Sequence, residues 1–359
     1  MAQGGSQPAF APASSAESVP TVRAQAALGA MQLAYATRAQ GGAALYRETS
    51  GDRQTAAVWG DSWALAALED VAALPGGARY LPLVQAAADG LQAYWDPSAQ
   101  PPAYAPTPQP DKDDVKYFDD NAWVGLDLVA AWRLTGQRTY LLRAQGVMRY
   151  LESGWDTAGG GLWWNDERTY RNTVANAAAA DLAARLYLAT GDPADLTWAE
   201  RIDAWEWQAL VTPDGRVDDG LDAFATQPRG GQWTYNYGAV IEADVHLFQA
   251  TGQPRYLSGA STVAAYALQH LQGPAGAWPP QGRFNGVFAD GLLALFQADP
   301  RPAYASALTR NADLAWSRAR TPVGLFGTDW SSPPPDGEVQ LLTDTGAVRT
   351  LAAAAALGQ

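Results

Sequence analysis

Trp132-Arg-Leu-Thr-Gly-Gln-Arg-Thr-Tyr140, Tyr187-Leu-Ala-Thr-Gly-Asp-Pro193 and Phe248-Gln-Ala-Thr-Gly-Gln-Pro-Arg-Tyr256 are three versions of one phrase. Each joins two segments of helical period through Thr-Gly-polar. Glycine is the usual left-handed terminator of a helix, and proline opens the next helix in its first turn. The glycines stand at 136, 191 and 252, so the spacings are 55 and 61 residues. Leu74-Pro-Gly-Gly77 and Ala298-Asp-Pro-Arg-Pro302 fit the same register. A period of this size is one helix pair plus a long loop.

Worked outward from these turns, the chain predicts twelve helices, near 21–39, 58–74, 78–95, 118–134, 138–152, 171–190, 193–210, 234–250, 254–271, 285–298, 302–319 and 342–357. Short turns follow the second, fourth, sixth, eighth and tenth helices. Long, aromatic, glycine-rich loops precede those helices and the twelfth, such as Gly159-Gly-Gly-Leu-Trp-Trp-Asn165 and Gly230-Gly-Gln-Trp-Thr-Tyr-Asn236. If successive hairpins are antiparallel, the N-termini of all even-numbered helices share one face with every long loop. The even helices are also rich in small residues, as in Asn176-Ala-Ala-Ala-Ala-Asp-Leu-Ala-Ala184. They can therefore crowd into an inner ring. The expected fold is all-α, an (α/α)6 toroid of six helical hairpins. An open α-solenoid has the same local pattern, but six pairs is the size at which a ring closes.

The 359 residues suffice for a large core, and 47% are hydrophobic. Only 17% are charged, so the helices must pack largely on each other. The net charge is −13 with no basic cluster, which argues against nucleic acid and anionic membranes and favours an uncharged ligand. Fifteen Trp and fifteen Tyr supply flat faces that suit sugar rings, although core packing claims many of them. There is no cysteine, which excludes disulfides and thiol chemistry. No apolar run is long enough to span a bilayer, and no secretory signal is visible. Residues 1–20 are expected to be a flexible segment or linker, and 21–359 a single catalytic domain. A monomer without metal or cofactor is expected.

The densest polar cluster is Lys116-Tyr-Phe-Asp-Asp-Asn-Ala-Trp123, at the start of the fourth helix. The amides and dipole of a helix N-terminus favour a carboxylate anion. Two adjacent carboxylates cannot both ionise easily, so one keeps a low pKa and the other a raised one. A glycosidase needs that asymmetry, one anion and one acid. The alternative is that Asp119 is a helix cap and Asp120 merely sits in the first turn. The pair is expected in the largest cleft. Around it, the other inner-helix starts offer Trp59, Asn121, Trp123, Trp164, Asn172, Asn176, Tyr235, Asn236, Tyr237, Phe284 and Asn285 for sugar hydroxyls and faces. Arg171 opens the sixth helix. His246 and His270 lie inside helices, so a His-based triad or metal site is disfavoured. Asp214, Asp218, Asp219 and Asp222 do not have calcium-loop spacing.

From about Trp59 onward the chain resembles glycoside hydrolase family 76, the endo-α-1,6-mannanases. Tyr117-Phe-Asp-Asp-Asn-Ala-Trp-Val-Gly-Leu-Asp127 looks like that family's tandem-Asp motif. Gly161-Leu-Trp-Trp-Asn165, Arg171-Asn-Thr-Val-Ala-Asn176, Thr234-Tyr-Asn-Tyr-Gly238 and Phe284-Asn-Gly-Val-Phe288 are similar to its later blocks, in order. The chain departs from the last block, with Asn285 where the family has Lys and Asp290 near where it has Arg. The resemblance implies an (α/α)6 fold and a retaining, metal-free endo-hydrolase of α-1,6-mannosidic bonds, with Asp119 as nucleophile and Asp120 as acid/base. It implies a neutral α-mannan partner and a place outside or on the surface of the cell. Mannan transglycosylation within the same family and a non-catalytic glycan-binding toroid remain alternatives. A toroid epimerase would need cleft histidines.

Overall fold

The structure is a computed structural model that describes residues 18–358 apart from 39, 112, 226 and 229. The expected flexible segment therefore lies, but for its last three residues, outside the described residues.

Twelve α-helices are present among the described residues. Six are inner: α2 (Val58–Ala72), α4 (Phe118–Thr135), α6 (Thr173–Thr190), α8 (Thr234–Thr251), α10 (Gly282–Ala298) and α12 (Leu341–Ala356). The outer six are α1 (Val19–Tyr35), α3 (Leu81–Gly90), α5 (Arg138–Ser153), α7 (Pro193–Ala209), α9 (Pro254–His270) and α11 (Pro302–Arg318). Each inner helix packs on the next, and α12 packs back on α2. That last contact closes the ring and excludes an open solenoid.

Three short antiparallel pairs lie in the long loops. They are β1 (Ala36–Arg38) with β2 (Ala44–Tyr46), β3 (Trp95–Asp96) with β4 (Ala103–Tyr104), and β5 (Tyr170–Asn172) with β6 (Gly220–Asp222). They account for the main differences from the expected helix bounds. The first helix stops at Tyr35 because the next residues pair as a strand. The sixth starts at Thr173 because Arg171 and Asn172 are in β5. The third is shorter than expected, with 3-10 turns at Gly77–Tyr80 and Leu91–Tyr94 on either side.

The repeated Thr-Gly turn has a physical cause. Gly136, Gly191 and Gly252 take φ of 72°, 76° and 68°, where a side chain is strained. Each preceding threonine donates its hydroxyl to the carbonyl four residues back, Thr135 to Ala131 at 2.6 Å, Thr190 to Leu186 at 2.9 Å and Thr251 to Leu247 at 2.7 Å. The same hydroxyl accepts the amide two residues on, from Gln137, Asp192 and Gln253. One side chain thus ties the last turn of the helix to the first amide beyond the glycine.

The inner ring is tight because its contact residues are small. Residues 174–184 of α6 are all buried. Where α8 crosses α10, a Cβ on Gly291 would lie 2.5 Å from the Gly238 carbonyl oxygen. Where α10 crosses α12, a Cβ on Gly286 would lie 2.9 Å from the Gly346 Cα.

The axis of the ring is not apolar. Glu69 and Asp70 from α2, Asp127 from α4, Asp181 and Arg185 from α6, Glu242 and His246 from α8, Asp290 from α10 and Arg349 from α12 are buried or half-buried there. Arg185 pairs with Asp181 and Glu242, His246 with Asp181, and Arg349 with Asp70 and Asp290. Asp290 is thus held by the guanidinium of Arg349 at the axis of the ring. Six carboxyl groups face the guanidinium groups of Arg185 and Arg349 and one imidazole, with the more exposed Arg133 lining the same cavity, so the carboxyls outnumber the cations. Glu69 Oε1 has no partner among the described residues. Burial raises Glu69 and Asp290 well above the usual range and Asp127 to about 7.

These groups bind protons more tightly when folded. Their stabilising contribution is complete below the unfolded carboxyl pKa of about 4. It is lost as pH rises through the folded values, near 7 for Asp127 and near 8 for the buried Asp344. The unfolding temperature is therefore expected to fall between pH 5 and pH 8. Glu69→Gln should flatten the slope by up to about 1.4 kcal/mol per pH unit. Stability in the parent that rises from pH 5 to 8, as in an ordinary acid-labile protein, or a variant whose slope equals the parent's, would refute this account.

Candidate active site

The first turn of each inner helix divides its labour by position. The fourth residue holds the loop that precedes the helix. Asp61 Oδ1 accepts the Tyr46 amide at 3.0 Å, Asn121 Oδ1 the Tyr104 amide at 2.8 Å, Asn176 Oδ1 the Leu162 amide at 2.7 Å and Asp344 Oδ1 the Phe326 amide at 2.9 Å. On α8 the Tyr237 hydroxyl accepts the Val217 amide at 3.2 Å. On α10 Asn285 accepts from the Thr234 hydroxyl and donates to the Pro279 carbonyl. A buried loop amide needs such a partner.

This corrects part of the expected sugar-binding set. Asn121, Asn176, Tyr237 and Asn285 are buried clamps on backbone and neighbouring side chains rather than cleft residues. Asn236 is also buried, donating to Asp219 Oδ1 at 3.1 Å. Arg171 lies under the Gly159–Gly161 loop, bonded to Asp156 and the Gly160 carbonyl between the rings of Trp163 and Trp205.

Residues at the very start of the inner helices face the axis instead. Trp59, Asp119, Asp120, Trp123, Asn172, Tyr235 and Phe284 come from the starts of α2, α4, α6, α8 and α10 and line one cleft of about 490 Å³. Trp164 joins them from the loop before β5. Five of the six expected inner-helix N-termini thus meet at the cleft, and that of α12 adds no residue to its described lining. The cleft is not the largest hollow on the molecule, contrary to expectation. A more open groove of about 660 Å³ runs over the outer face of α9 past Tyr266 and His270.

One wall of the cleft is aromatic. Phe284 stacks on Tyr235 at 4.2 Å and on Trp59 at 6.3 Å, and Trp233 meets its edge at 5.6 Å. Beneath, Trp63 lies edge-on to both Trp59 and Trp123, at 5.1 and 5.8 Å. The opposite wall is polar. Thr169, Tyr170, Asp219 and Asp222 line it; of these the sequence singled out Asp219 and Asp222, as members of an acidic cluster without calcium-loop spacing, and not as cleft residues. The β5–β6 pairing carries them there, and the Tyr170 hydroxyl donates to Asp219 Oδ2 at 2.8 Å. Only that pairing, which joins segments 50 residues apart, makes Asp219 and Asp222 cleft residues.

The two aspartates differ in surroundings. The cap position of α4 is Tyr117, not Asp119. Asp119 Oδ2 accepts the Trp164 indole N–H at 2.9 Å, and Oδ1 accepts the Asp120 amide at 3.0 Å. The Asn172 side chain is close enough to favour the same anion. Burial nevertheless lifts Asp119 to about 7. Asp120 accepts no hydrogen bond among the described residues. Burial and the neighbouring Asp119 charge push it well above the carboxylate range. Asp119 is thus the member that ionises first, and Asp120 the one that keeps its proton.

The chain is 28% identical over 226 residues to mannan endo-1,6-alpha-mannosidase DCW1 of Saccharomyces cerevisiae, an overlap of 55% of this chain and 49% of that protein. It spans about half the length of that relative. Among solved structures it resembles the GH76A alpha-1,6-mannanase of a Salegentibacter species, with 25% identity, a TM-score of 0.82 and coverage of 94% of this chain and 99% of that one. It also matches an inactive variant of that enzyme, with two consecutive aspartates changed to alanine, in complex with alpha-1,6-mannotetrose, at 24% identity, a TM-score of 0.84 and coverage of 95% and 100%. The sequence model of glycosyl hydrolase family 76 matches residues 21–358, and the chain belongs to that family.

Proposed function

We propose that the chain is an endo-acting α-1,6-mannanase that retains anomeric configuration. The observation that carries the assignment of roles is the unequal surroundings of the tandem pair. Asp119 is the anion that attacks the anomeric carbon, because only it accepts hydrogen bonds from fixed donors. Asp120 keeps a proton for the departing oxygen and afterwards deprotonates the incoming water.

The aromatic wall formed by Trp59, Tyr235 and Phe284 offers faces to sugar rings. Tyr170, Asp219 and Asp222 opposite offer partners for hydroxyls. A neutral mannan fits a cleft with no Lys, Arg or His among its described lining residues. The relatives named above support mannan as the polymer, and a polysaccharide of that kind would be met outside the cell or at its surface. No helix among the described residues is long and apolar enough to cross a membrane.

Incubation with linear α-1,6-mannan tests the reading. The expected products are a ladder of oligosaccharides, released first with the α-configuration. Release of mannose alone would overturn endo action, and β-configured products would overturn retention. Products longer than the substrate would instead favour transglycosylation. Binding without any bond cleavage would leave a glycan-binding toroid.

A further inference from the structure

Among the described residues lining the cleft, no cation stands near Asp119 to hold its charge. The groups around it are Asp120 on its own helix, Tyr117 just before it, Tyr150 on α5, Asn172 at the start of α6 and Tyr235 on α8, with Tyr170 and Asp219 on the facing wall. All of the titratable groups in that set are acidic or phenolic. The ionised form of Asp119 therefore depends on neutral donors. The best placed of them is the indole of Trp164, 2.9 Å from Oδ2.

Trp164 is not a loosely attached side chain. Its carbonyl accepts the amide of Phe118, the first residue of α4, at 2.8 Å. Its own amide donates to the Tyr170 carbonyl at 2.7 Å. Tyr117 and Asn165 form an isolated bridge, and the Tyr117 ring lies edge-on to the indole at 5.1 Å. Upstream, Gly160 and Gly161 take φ of 73° and 80°, and a Cβ on either would lie 2.5 Å from the Trp205 ring. The loop is thus fixed downstream to the start of the helix that bears the pair and upstream against Trp205 of α7. The backbone that carries the indole is thereby anchored beside Asp119, and the Tyr117 ring and the bond to Oδ2 hold the side chain. At the same time Trp164 is 36% exposed and its ring lines the cleft.

We propose that Trp164 is a positioning residue that holds Asp119 as the attacking anion and does so from a sugar-facing wall. Resting on Asp119 as nucleophile, the proposal adds a coupling between substrate docking and charge. A sugar against the exposed indole face removes water from around the N–H···O bond. Lower local polarity strengthens such a bond, which offsets part of the desolvation cost that docking imposes on the anion.

Trp164→Phe separates the two roles, because it keeps an aromatic face and removes the donor. Activities are normalised to the folded fraction read by circular dichroism. The expected kcat on linear α-1,6-mannan falls about 10- to 100-fold, while KM changes less than about threefold. Losing a donor to the anion raises its pKa, so the acid limb of kcat/KM should move up by about one pH unit. Labelling by a 2-deoxy-2-fluoromannosyl fluoride should slow by the same factor as kcat. Trp164→Ala should add a rise in KM to these losses. A Trp164→Phe enzyme with the parent's kcat and acid limb, beside an inactive Asp119→Asn enzyme, overturns the positioning role alone. An active Asp119→Asn enzyme removes the nucleophile on which the proposal rests.

Discussion

Asp119→Asn and Asp120→Asn are each expected to cut turnover of α-1,6-mannan by about 10³-fold or more, because nucleophile and proton donor are both needed. Both substitutions keep side-chain volume. Neither residue caps α4, and Asp120 accepts no hydrogen bond among the described residues, so folding should survive. The two variants should separate on an aryl mannoside with a good leaving group. Such a substrate needs little protonation. Asp120→Asn should therefore keep a fast first step and accumulate a covalent mannosyl-enzyme, visible by mass spectrometry. Azide should restore its turnover, since it attacks without a general base. Asp119→Asn should form no covalent species on any substrate. If azide rescues Asp119→Asn and gives the glycosyl azide of retained configuration, the roles are exchanged. Normal activity in both variants would mean that the pair serves only the start of the helix. The unequal hydrogen bonding predicts the first pattern, because only the Asp119 carboxylate is held by fixed donors.

Consecutive helical positions diverge by about 100°, so adjacency in sequence did not ensure that both carboxylates reach one cleft. They do, because the axis of the toroid lies between the two directions. That follows from ring closure and not from the dipeptide. The Thr-Gly phrase was legible because glycine's left-handed conformation and the threonine's two bonds are local. The small-residue inner helices were legible because crowding demands small side chains. Less visible was the split between the first and fourth positions of each inner helix. Asn121, Asn176 and Asn285 have the chemistry of sugar ligands, and their composition does not show that each turns away to hold a loop. The signal was periodic all the same. A polar residue or tyrosine stands fourth in every inner helix, at 61, 121, 176, 237, 285 and 344. Asp219 and Asp222 showed only as an acidic cluster, and nothing local tied them to the cleft, because a two-stranded pairing across a long gap brings them there.

Gly346→Ala is expected to destabilise the protein by about 2–4 kcal/mol, although alanine is the better helix former by about 1 kcal/mol. Gly346 lies in α12 where it crosses the first turn of α10. A Cβ there would overlap the Gly282 carbonyl oxygen and stand 3.3 Å from that of Arg283. These are backbone atoms, so no rotamer change relieves the overlap. The Gly282 amide is in turn bonded to the Thr328 carbonyl at 3.0 Å, which ties that turn to a loop. The helices must move apart, and the loss of close packing then extends along the crossing. Phe284 sits in the displaced turn and stacks on Tyr235 and Trp59. The same substitution should therefore raise KM for mannan while leaving the protonation of the aspartates, and so the pH profile, in place. Gly29→Ala in the outer helix α1 is the control, since a Cβ there meets nothing within 4 Å. It should stabilise by about 0.5–1 kcal/mol. Denaturant unfolding of the two variants beside the parent decides the matter. If Gly346→Ala matches Gly29→Ala, the ring is slack where α10 meets α12, and the aromatic wall does not depend on its closure.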